Sequence, residues 1–168
     1  MAMKRGTWWG VGPVKRYGRW RKPYTTVGYK QRLGRGFPNN WYPFGCGNSL
    51  HHGRDIGGGK SWAYKCPIYT WGRCQILVNA YDLGGYARYV QVWFPDVNWS
   101  LTMGHLLNGS TYPVGTWFRQ GQYIARIGTR RDGILNSHVH YRAAPGKWYT
   151  AIPPCADRDP LILFNKLR

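Results

Sequence analysis

The chain has 168 residues, enough for one ordinary domain with roughly thirty to forty residues left over. It carries 24 lysines and arginines against six acidic residues, a formal net charge of +18, and all six acids are aspartates. The absence of glutamate excludes a catalytic or metal-ligating glutamate, and no apolar run approaches the roughly 18 residues that a membrane span needs. Hydrophobic residues make up 43% of the chain, which is enough for a core.

The first part of the chain is strongly basic. Residues 1–36 hold ten lysines or arginines, six Trp or Tyr residues, seven glycines and no acid, which is too little aliphatic material for a core. We predict an extended N-terminal arm over residues 1–36 and a folded domain over residues 37–168. Two interpretations of the arm stay open. It is either a solvated cationic tail or a segment that orders on a polyanion or a partner protein through charge attraction and aromatic stacking.

From residue 37 onward, helical periodicity is almost absent, and glycine and proline turn signals separate short β-branched and aromatic runs. A turn is predicted at 94–98, where proline and asparagine follow an alternating run. This pattern predicts an all-β fold of antiparallel strands with tight loops. The predicted strands cover residues 74–80, 86–94, 99–106, 123–127 and 137–143.

The four cysteines are Cys46, Cys66, Cys74 and Cys155. None of them has a C-x-x-C spacing, so a zinc ribbon is excluded. Two alternatives stay open for the pairing. Cys66 and Cys74 staple a hairpin if the protein works in an oxidising compartment, or all four residues are buried thiols.

The five histidines fall in only three places in the sequence: His51 with His52, His105, and His138 with His140. Side chains two residues apart on a strand project from the same face, so His138 and His140 can offer two imidazoles to one site. A chance pair on the surface is the alternative interpretation of this couple.

The sequence His-x-Gly-x-Asp joins His51 and Asp55, with Gly53 allowing a tight turn between them. Catalytic zinc sites use three protein ligands and leave a fourth position for water. His51, Asp55 and one later histidine together supply such a set of three ligands. The remaining histidines are then available for proton chemistry near pH 7.

Three segments of the chain resemble, in order, the motifs of the lysostaphin-type (LytM-like) zinc endopeptidases, which cut peptidoglycan peptides. The connecting sequence is similar as well, including a strand like the family's GGYGNYVVI and a segment like its VGxxVxxGQxIG. The resemblance covers roughly residues 40–163. The three motifs are residues 51–55 (HHGRD), 103–106 (MGHL) and 137–141 (SHVHY), and the connecting similarities are residues 81–92, 113–125 and the domain end at 159–161.

The resemblance implies a small antiparallel β-sheet or sandwich with a zinc-containing groove. It implies that His51, Asp55 and His140 bind Zn2+. It also implies that His138 is the general base that takes a proton from the zinc-bound water. His105 would assist by orienting the water or by stabilising the oxyanion.

This chain departs from the family pattern at a few positions. His52 has no family role, and we expect it to be a solvent-exposed bystander. Met103 stands where the family commonly has tyrosine, Arg142 replaces a customary acid, and residues 57–59 are all glycine. These departures bear on substrate preference and rate, but they remove no ligand and no base.

The resemblance implies a zinc-dependent endopeptidase that hydrolyses peptide bonds in bacterial peptidoglycan. The alternative is a non-catalytic cell-wall-binding or structural virion protein on the same scaffold. The presence of all five functional positions favours the enzyme. Nucleic acid is not an expected partner, because nucleic-acid binding does not explain the histidine cluster.

The basic start of the chain lacks the apolar segment of a signal peptide, so classical secretion is not expected. A wall-cutting enzyme without such a signal suits a phage lysin that is virion-associated or released to the host cell wall. Residues 1–36 would then contact virion structural proteins or wall polyanions.

Overall fold

The computed structural model describes residues 10–11, 14–17, 19–21, 24–27, 51–57, 62–82, 85–134, 136–153 and 156–167. Within these ranges the chain forms eleven strands, one short 3-10 turn at Arg130–Asp132 and one helix, α1, at Pro160–Lys166. The strands are β1 (Val14–Arg16), β2 (Arg19–Arg21), β3 (Tyr24–Val27), β4 (Arg54–Gly57), β5 (Pro67–Tyr69), β6 (Cys74–Asp82), β7 (Ala87–Phe94), β8 (Trp99–Leu106), β9 (Trp117–Phe118), β10 (Tyr123–Arg126) and β11 (His138–Pro145).

Seven strands form one antiparallel sheet in the order β3-β4-β11-β8-β7-β6-β9, and β1-β2 and β10-β5 form two small pairs. The predicted all-β, antiparallel fold is therefore confirmed. The five predicted strands are all present, and their ends differ by at most two residues from those observed. The turn predicted at 94–98 connects β7 to β8, with the Asn98 N–H donating to the Pro95 carbonyl at 3.2 Å.

Alternation along the central strands gives the sheet two different faces. On β11, Val139 and Tyr141 belong to the hydrophobic core, as do their counterparts on β7 and β8. The intervening residues of β11, His138, His140 and Arg142, lie on the opposite face. The candidate functional residues therefore sit on the side of the sheet that the core does not fill.

The helix α1 has no counterpart in the predicted elements. It begins after Asp159, whose carboxylate caps it by accepting the Leu161 N–H at 3.0 Å, and Pro160 occupies its first turn. The same carboxylate accepts two hydrogen bonds from the Arg54 guanidinium, at 2.7 and 2.8 Å, and so joins the helix to β4. Among the described residues no helix is long and apolar enough to cross a membrane.

Parts of the predicted arm lie against the domain. Val11 is fully buried in the core and forms a β-bridge with Ile68. The strand β3 pairs with β4, with Val27 opposite Asp55. The predicted boundary at residues 36 and 37 falls outside the described residues, so the division into arm and domain stays a prediction.

The two described cysteines lie on different sheets rather than on one hairpin. Cys66 precedes β5, which pairs with β10, whereas Cys74 begins β6, which pairs with β7 and β9. No disulfide joins them, so the proposed staple is wrong. Burial raises the pKa of the Cys66 thiol to about 11 and that of Cys74 to about 12. Cys46 and Cys155 lie outside the described residues.

Candidate metal centre

Three adjacent strands bring the predicted metal ligands and their neighbours together. In the middle strand, β11, His140 lies opposite Asp55 of β4 on one side and opposite Gly104 of β8 on the other. His51 comes from the segment just before β4, and His105 follows Gly104 on β8. The register of the sheet therefore assembles residues that are more than eighty positions apart in sequence.

The three predicted ligands converge on one point. The Asp55 Oδ1 atom lies 2.8 Å from His140 Nδ1 and 3.2 Å from His51 Nε2, and the two histidine nitrogens are 3.2 Å apart. All three residues are buried, with one ligand atom from each lying within 4.8 Å of the others. Two imidazole nitrogens and a carboxylate oxygen this close together form a set that can hold a metal ion.

The close approach depends on Gly53, midway between His51 and Asp55. Its φ angle is +146°, a region that side chains rarely adopt. A Cβ atom there would lie 2.5 Å from His140 Nε2 and would collide with the Tyr141 carbonyl oxygen. The glycine expected from sequence to allow a turn is therefore also required by the backbone of β11.

The hydrogen bonds of His140 show that the site suits a cation. Its Nε2–H donates to the His52 carbonyl oxygen at 3.1 Å, because a carbonyl can only accept. In the neutral ring the lone pair is then on Nδ1, facing the Asp55 carboxylate at 2.8 Å. Two electron pairs in that arrangement repel each other unless a cation lies between them. Fixing the tautomer of a metal-binding histidine through its other nitrogen is the usual outer-shell arrangement.

Electrostatics favour the ligating form of Asp55 and of His140. Burial alone would raise the pKa of Asp55, but the positive charge that His138 carries when protonated and the adjacent imidazoles of His140 and His51 hold that pKa well below its usual range. Burial lowers the pKa of His140 to about 4, even though Asp55 opposes the shift. At neutral pH the site therefore presents an ionised carboxylate and a neutral imidazole, as metal binding requires.

His138 lies beside the metal-binding group, at the partly exposed end of β11. Its Nδ1–H donates to the Asn136 carbonyl oxygen at 2.8 Å, so the lone pair of the neutral ring is on Nε2. That atom lies 3.6 Å from Asp55 Oδ2. The ring is 19% exposed. His138 thus holds a basic nitrogen at the edge of the cluster, where it can reach a water molecule.

His105 reaches the cluster through a strained backbone. Strict alternation would place it on the face opposite Gly104, but its φ of +63° and a register shift between β7 and β8 re-aim the side chain. Its ring centroid is 4.6 Å from that of His138 and 6.1 Å from that of His140. Its Nδ1 atom is buried and makes no hydrogen bond to the described part of the chain.

The environment of His105 also favours a neutral imidazole. Burial, followed by the nearby charges of His138 and His140, lowers the pKa of His105 well below its ordinary value. A neutral ring offers one N–H donor and one acceptor nitrogen. The predicted supporting position of His105 next to His138 is therefore where the structure places it, while the chemical roles of both residues stay predictions.

The expectation for His52 is wrong. Its side chain is buried, and its Nδ1 atom lies 3.0 and 3.2 Å from the two carboxylate oxygens of Asp157. The reason is the C-terminal segment, which folds back over the loop before β4 and covers the ring. Asp157 is itself buried, and no local sequence pattern marks it as the partner of His52, although a chain with six acids offers few partners for a buried histidine.

Two further residues, Arg142 and Tyr86, lie near the cluster without having been assigned a role from the sequence. Arg142 is buried on β11, with its guanidinium 5.4 Å from the centre of the Tyr86 ring. The Tyr86 ring lies 5.5 Å from that of His140 and packs on Gly104, where a Cβ would lie 2.6 Å from the tyrosine Cδ1. Met103, at a position where the family commonly has tyrosine, is in the core instead of the site.

The antiparallel sheet with its inter-strand histidine and aspartate cluster is the fold of the lysostaphin-type (LytM-like) peptidase domains. The catalytic domain of lysostaphin, an antimicrobial peptidase from Staphylococcus simulans, matches with a TM-score of 0.60 at 16% identity, over 85% of this chain and 92% of that one. LytU matches with a TM-score of 0.62 at 17% identity, over 87% of each chain.

A variant of the catalytic domain of EnpA, a prophage-encoded M23 protein of Enterococcus faecalis, matches with a TM-score of 0.57 at 18% identity, over 82% of this chain and 88% of that one. Against full-length lysostaphin, this chain spans about half of the protein, 51% of its length. No protein-family model matches the sequence, and no curated protein matches it. At these identities the likeness establishes the fold.

Proposed function

We propose that this protein is a zinc-dependent endopeptidase that hydrolyses peptide bonds in bacterial peptidoglycan. The observation that carries the proposal is the convergence of His51, Asp55 and His140, with two further histidines beside them on the same face of the sheet. Two imidazoles and one carboxylate form a ligand set typical of catalytic zinc, which keeps a position open for water. The lysostaphin-like fold supports peptidoglycan as the substrate.

In this proposal His51, Asp55 and His140 hold the metal, which when bound polarises the scissile carbonyl and makes water more acidic. His138 accepts a proton at Nε2 from the attacking water, because its Nδ1–H is committed to the Asn136 carbonyl. His105, neutral and half-buried beside His138, orients the water or donates a hydrogen bond to the oxygen on which negative charge develops.

The proposal is tested by digesting purified peptidoglycan of several chemotypes and identifying the released peptides by mass spectrometry. We expect new amino termini at one type of cross-link or stem-peptide bond. A chelator should abolish their release, and added zinc should restore it. Retention of the protein on peptidoglycan without released peptides would support the alternative, a non-catalytic cell-wall-binding or virion protein.

We further propose that the enzyme serves phage lysis or entry, acting from the virion or after release to the host wall. The prophage-encoded EnpA is a precedent for this fold in a phage-derived setting. In this proposal residues 1–36 anchor the enzyme to virion structural proteins or to wall polyanions. Their ten cations and no acid give the arm most of the chain's positive excess.

Deleting the arm separates anchoring from catalysis. We expect the chain lacking residues 1–36 to lose much of the salt-sensitive binding to intact walls, because ten cations are removed. Binding is measured by co-sedimentation at several salt concentrations, and hydrolysis with a soluble cross-link peptide. Every proposed catalytic group lies at His51 or beyond, so we expect hydrolysis to persist, while the loss of buried Val11 and of the β3–β4 pairing lowers the stability of the shortened chain. A shorter deletion of residues 1–9 is the matched control, since it keeps Val11 and the pairing of β3 with β4. Loss of zinc or of folding in the longer deletion alone would show that the arm is part of the domain.

A further inference from the structure

The main chain of His52 links the metal ligand His140 to a buried arginine. The His52 carbonyl oxygen accepts one hydrogen bond from His140 Nε2, at 3.1 Å, and a second from Arg142 Nε, at 3.0 Å. A carbonyl oxygen has two lone pairs, so it can serve both donors at once. The orientation of the His140 ring therefore depends on the position of a peptide group that Arg142 also holds.

Arg142 is itself held on more than one side. Its Nη1 atom donates to the Ile152 carbonyl oxygen at 3.0 Å, and its guanidinium lies over the Tyr86 ring at 5.4 Å. The side chain is only 5% exposed. The planar guanidinium can join two carbonyl groups in fixed geometry, whereas a lysine ammonium presents a single nitrogen. The residue thus ties the loop before β4 to the segment that follows β11.

Asp157 holds His52 as well, through the histidine side chain. Its carboxylate oxygens lie 3.0 and 3.2 Å from His52 Nδ1, and both side chains are buried. His52 is therefore held at its ring by Asp157 and at its carbonyl by Arg142. Neither Arg142 nor Asp157 lies among the three converging ligand groups.

We propose that Arg142 and Asp157 are positioning residues that keep His140 in its metal-binding tautomer and orientation, and that they act through His52. The inference rests on the proposed function for its metal. Outer-shell partners of metal-binding histidines typically contribute 10- to 100-fold to metal affinity. In this chain the outer-shell partner of His140 is the main-chain carbonyl of His52. The contribution to metal affinity therefore comes from the residues that hold this carbonyl in place.

The test is the zinc affinity of the full chain, measured by competition with a chromophoric chelator, which needs no substrate. We expect Arg142→Met to bind zinc about 10- to 100-fold more weakly than wild type. Arg142→Lys should fall between the two, because it keeps the charge but cannot join both carbonyls. Asp157→Ala should weaken binding by about 10-fold, and Asp157→Asn should restore most of it, because the amide oxygen still accepts from His52.

Thr102→Val is the matched control. Thr102 lies opposite Arg142 on β8, is fully buried, and donates its hydroxyl hydrogen to Gln91 Oε1 at 2.8 Å rather than to the His52 carbonyl. It should bind zinc within about twofold of wild type even if it is less stable. The visible spectrum of the cobalt-substituted protein gives a second measurement, since its bands report ligand geometry. We expect those bands to shift in Arg142→Lys but to stay unchanged in Thr102→Val.

Wild-type zinc affinity and unchanged cobalt bands in folded Arg142→Lys and Asp157→Ala would overturn the inference and leave the proposed function intact. An equal loss of affinity in Thr102→Val would also overturn it, because the effect would then be general destabilisation. If Arg142→Met does not fold, the zinc affinities of Arg142→Lys and Asp157→Ala decide whether the inference holds. A folded wild-type chain that binds no zinc would overturn both the inference and the proposed function.

Discussion

His138→Ala and His105→Ala are each expected to slow peptidoglycan hydrolysis by about 10²-fold or more while leaving zinc bound. The ring of His138 is partly exposed, and the lone pair of its neutral form lies on the nitrogen that faces the site. His105 is half-buried beside it, with its ring re-aimed by a left-handed backbone conformation. Neither residue belongs to the group of three that converges on a single point.

Initial rates of peptide release, measured at equal zinc content, provide the comparison. Tyr149→Ala is a suitable control, because this residue is 65% exposed and lies beyond the contacts described for the cluster. Hydrolysis at the wild-type rate by either histidine variant would mean that its assigned role is wrong. A loss of zinc together with activity would instead place that histidine among the ligands.

The second large effect concerns the metal itself. Wild-type protein should carry about one zinc per chain, and His140→Ala should carry close to none. His140 Nδ1 lies within 3.2 Å of both other ligand atoms, so its removal leaves only two donors. Two donors do not complete the three-ligand set of a catalytic zinc site.

Elemental analysis after exhaustive dialysis measures this stoichiometry directly. His105→Ala serves as the control, since it removes a neighbouring half-buried histidine and should keep about one equivalent of zinc. A folded His140→Ala protein with undiminished zinc would show that other residues bind the metal. The ligand assignment, and with it the mechanism proposed for His138, would then have to be replaced.

Those parts of the structure that depend on short sequence spacings could be predicted. The alternation of His138 and His140 follows from the two-residue repeat of a strand, and the strand boundaries followed from turn signals. The spacing of His51 and Asp55 around Gly53 gave a local candidate for two more ligands. That His51 and Asp55 lie beside His140 was implied by the family resemblance and not by any local sequence pattern.

The remaining features depend on contacts between distant parts of the chain. His52 and Asp157 are 105 positions apart, and no local pattern pairs them. The ring of His105 reaches the site only because its backbone departs from regular strand geometry, which alternation cannot foresee. Arg142 differs from the customary family residue, and its contacts with two carbonyl groups become visible only when the loop before β4 is in place.

The position of β11 in the sheet has a consequence for when the metal centre can form. Among the described residues it is the last strand in sequence order, yet it lies between β4 and β8, which are synthesised much earlier. Until β11 has been synthesised and inserted, β4 and β8 have no direct pairing, and the site lacks His140. Sheets built from such long-range pairings assemble slowly, because the ends of a long loop must first meet. A nascent or prematurely terminated chain therefore has only two of the three ligands, His51 and Asp55, and the complete site arises only after β11 has paired with both of its neighbours.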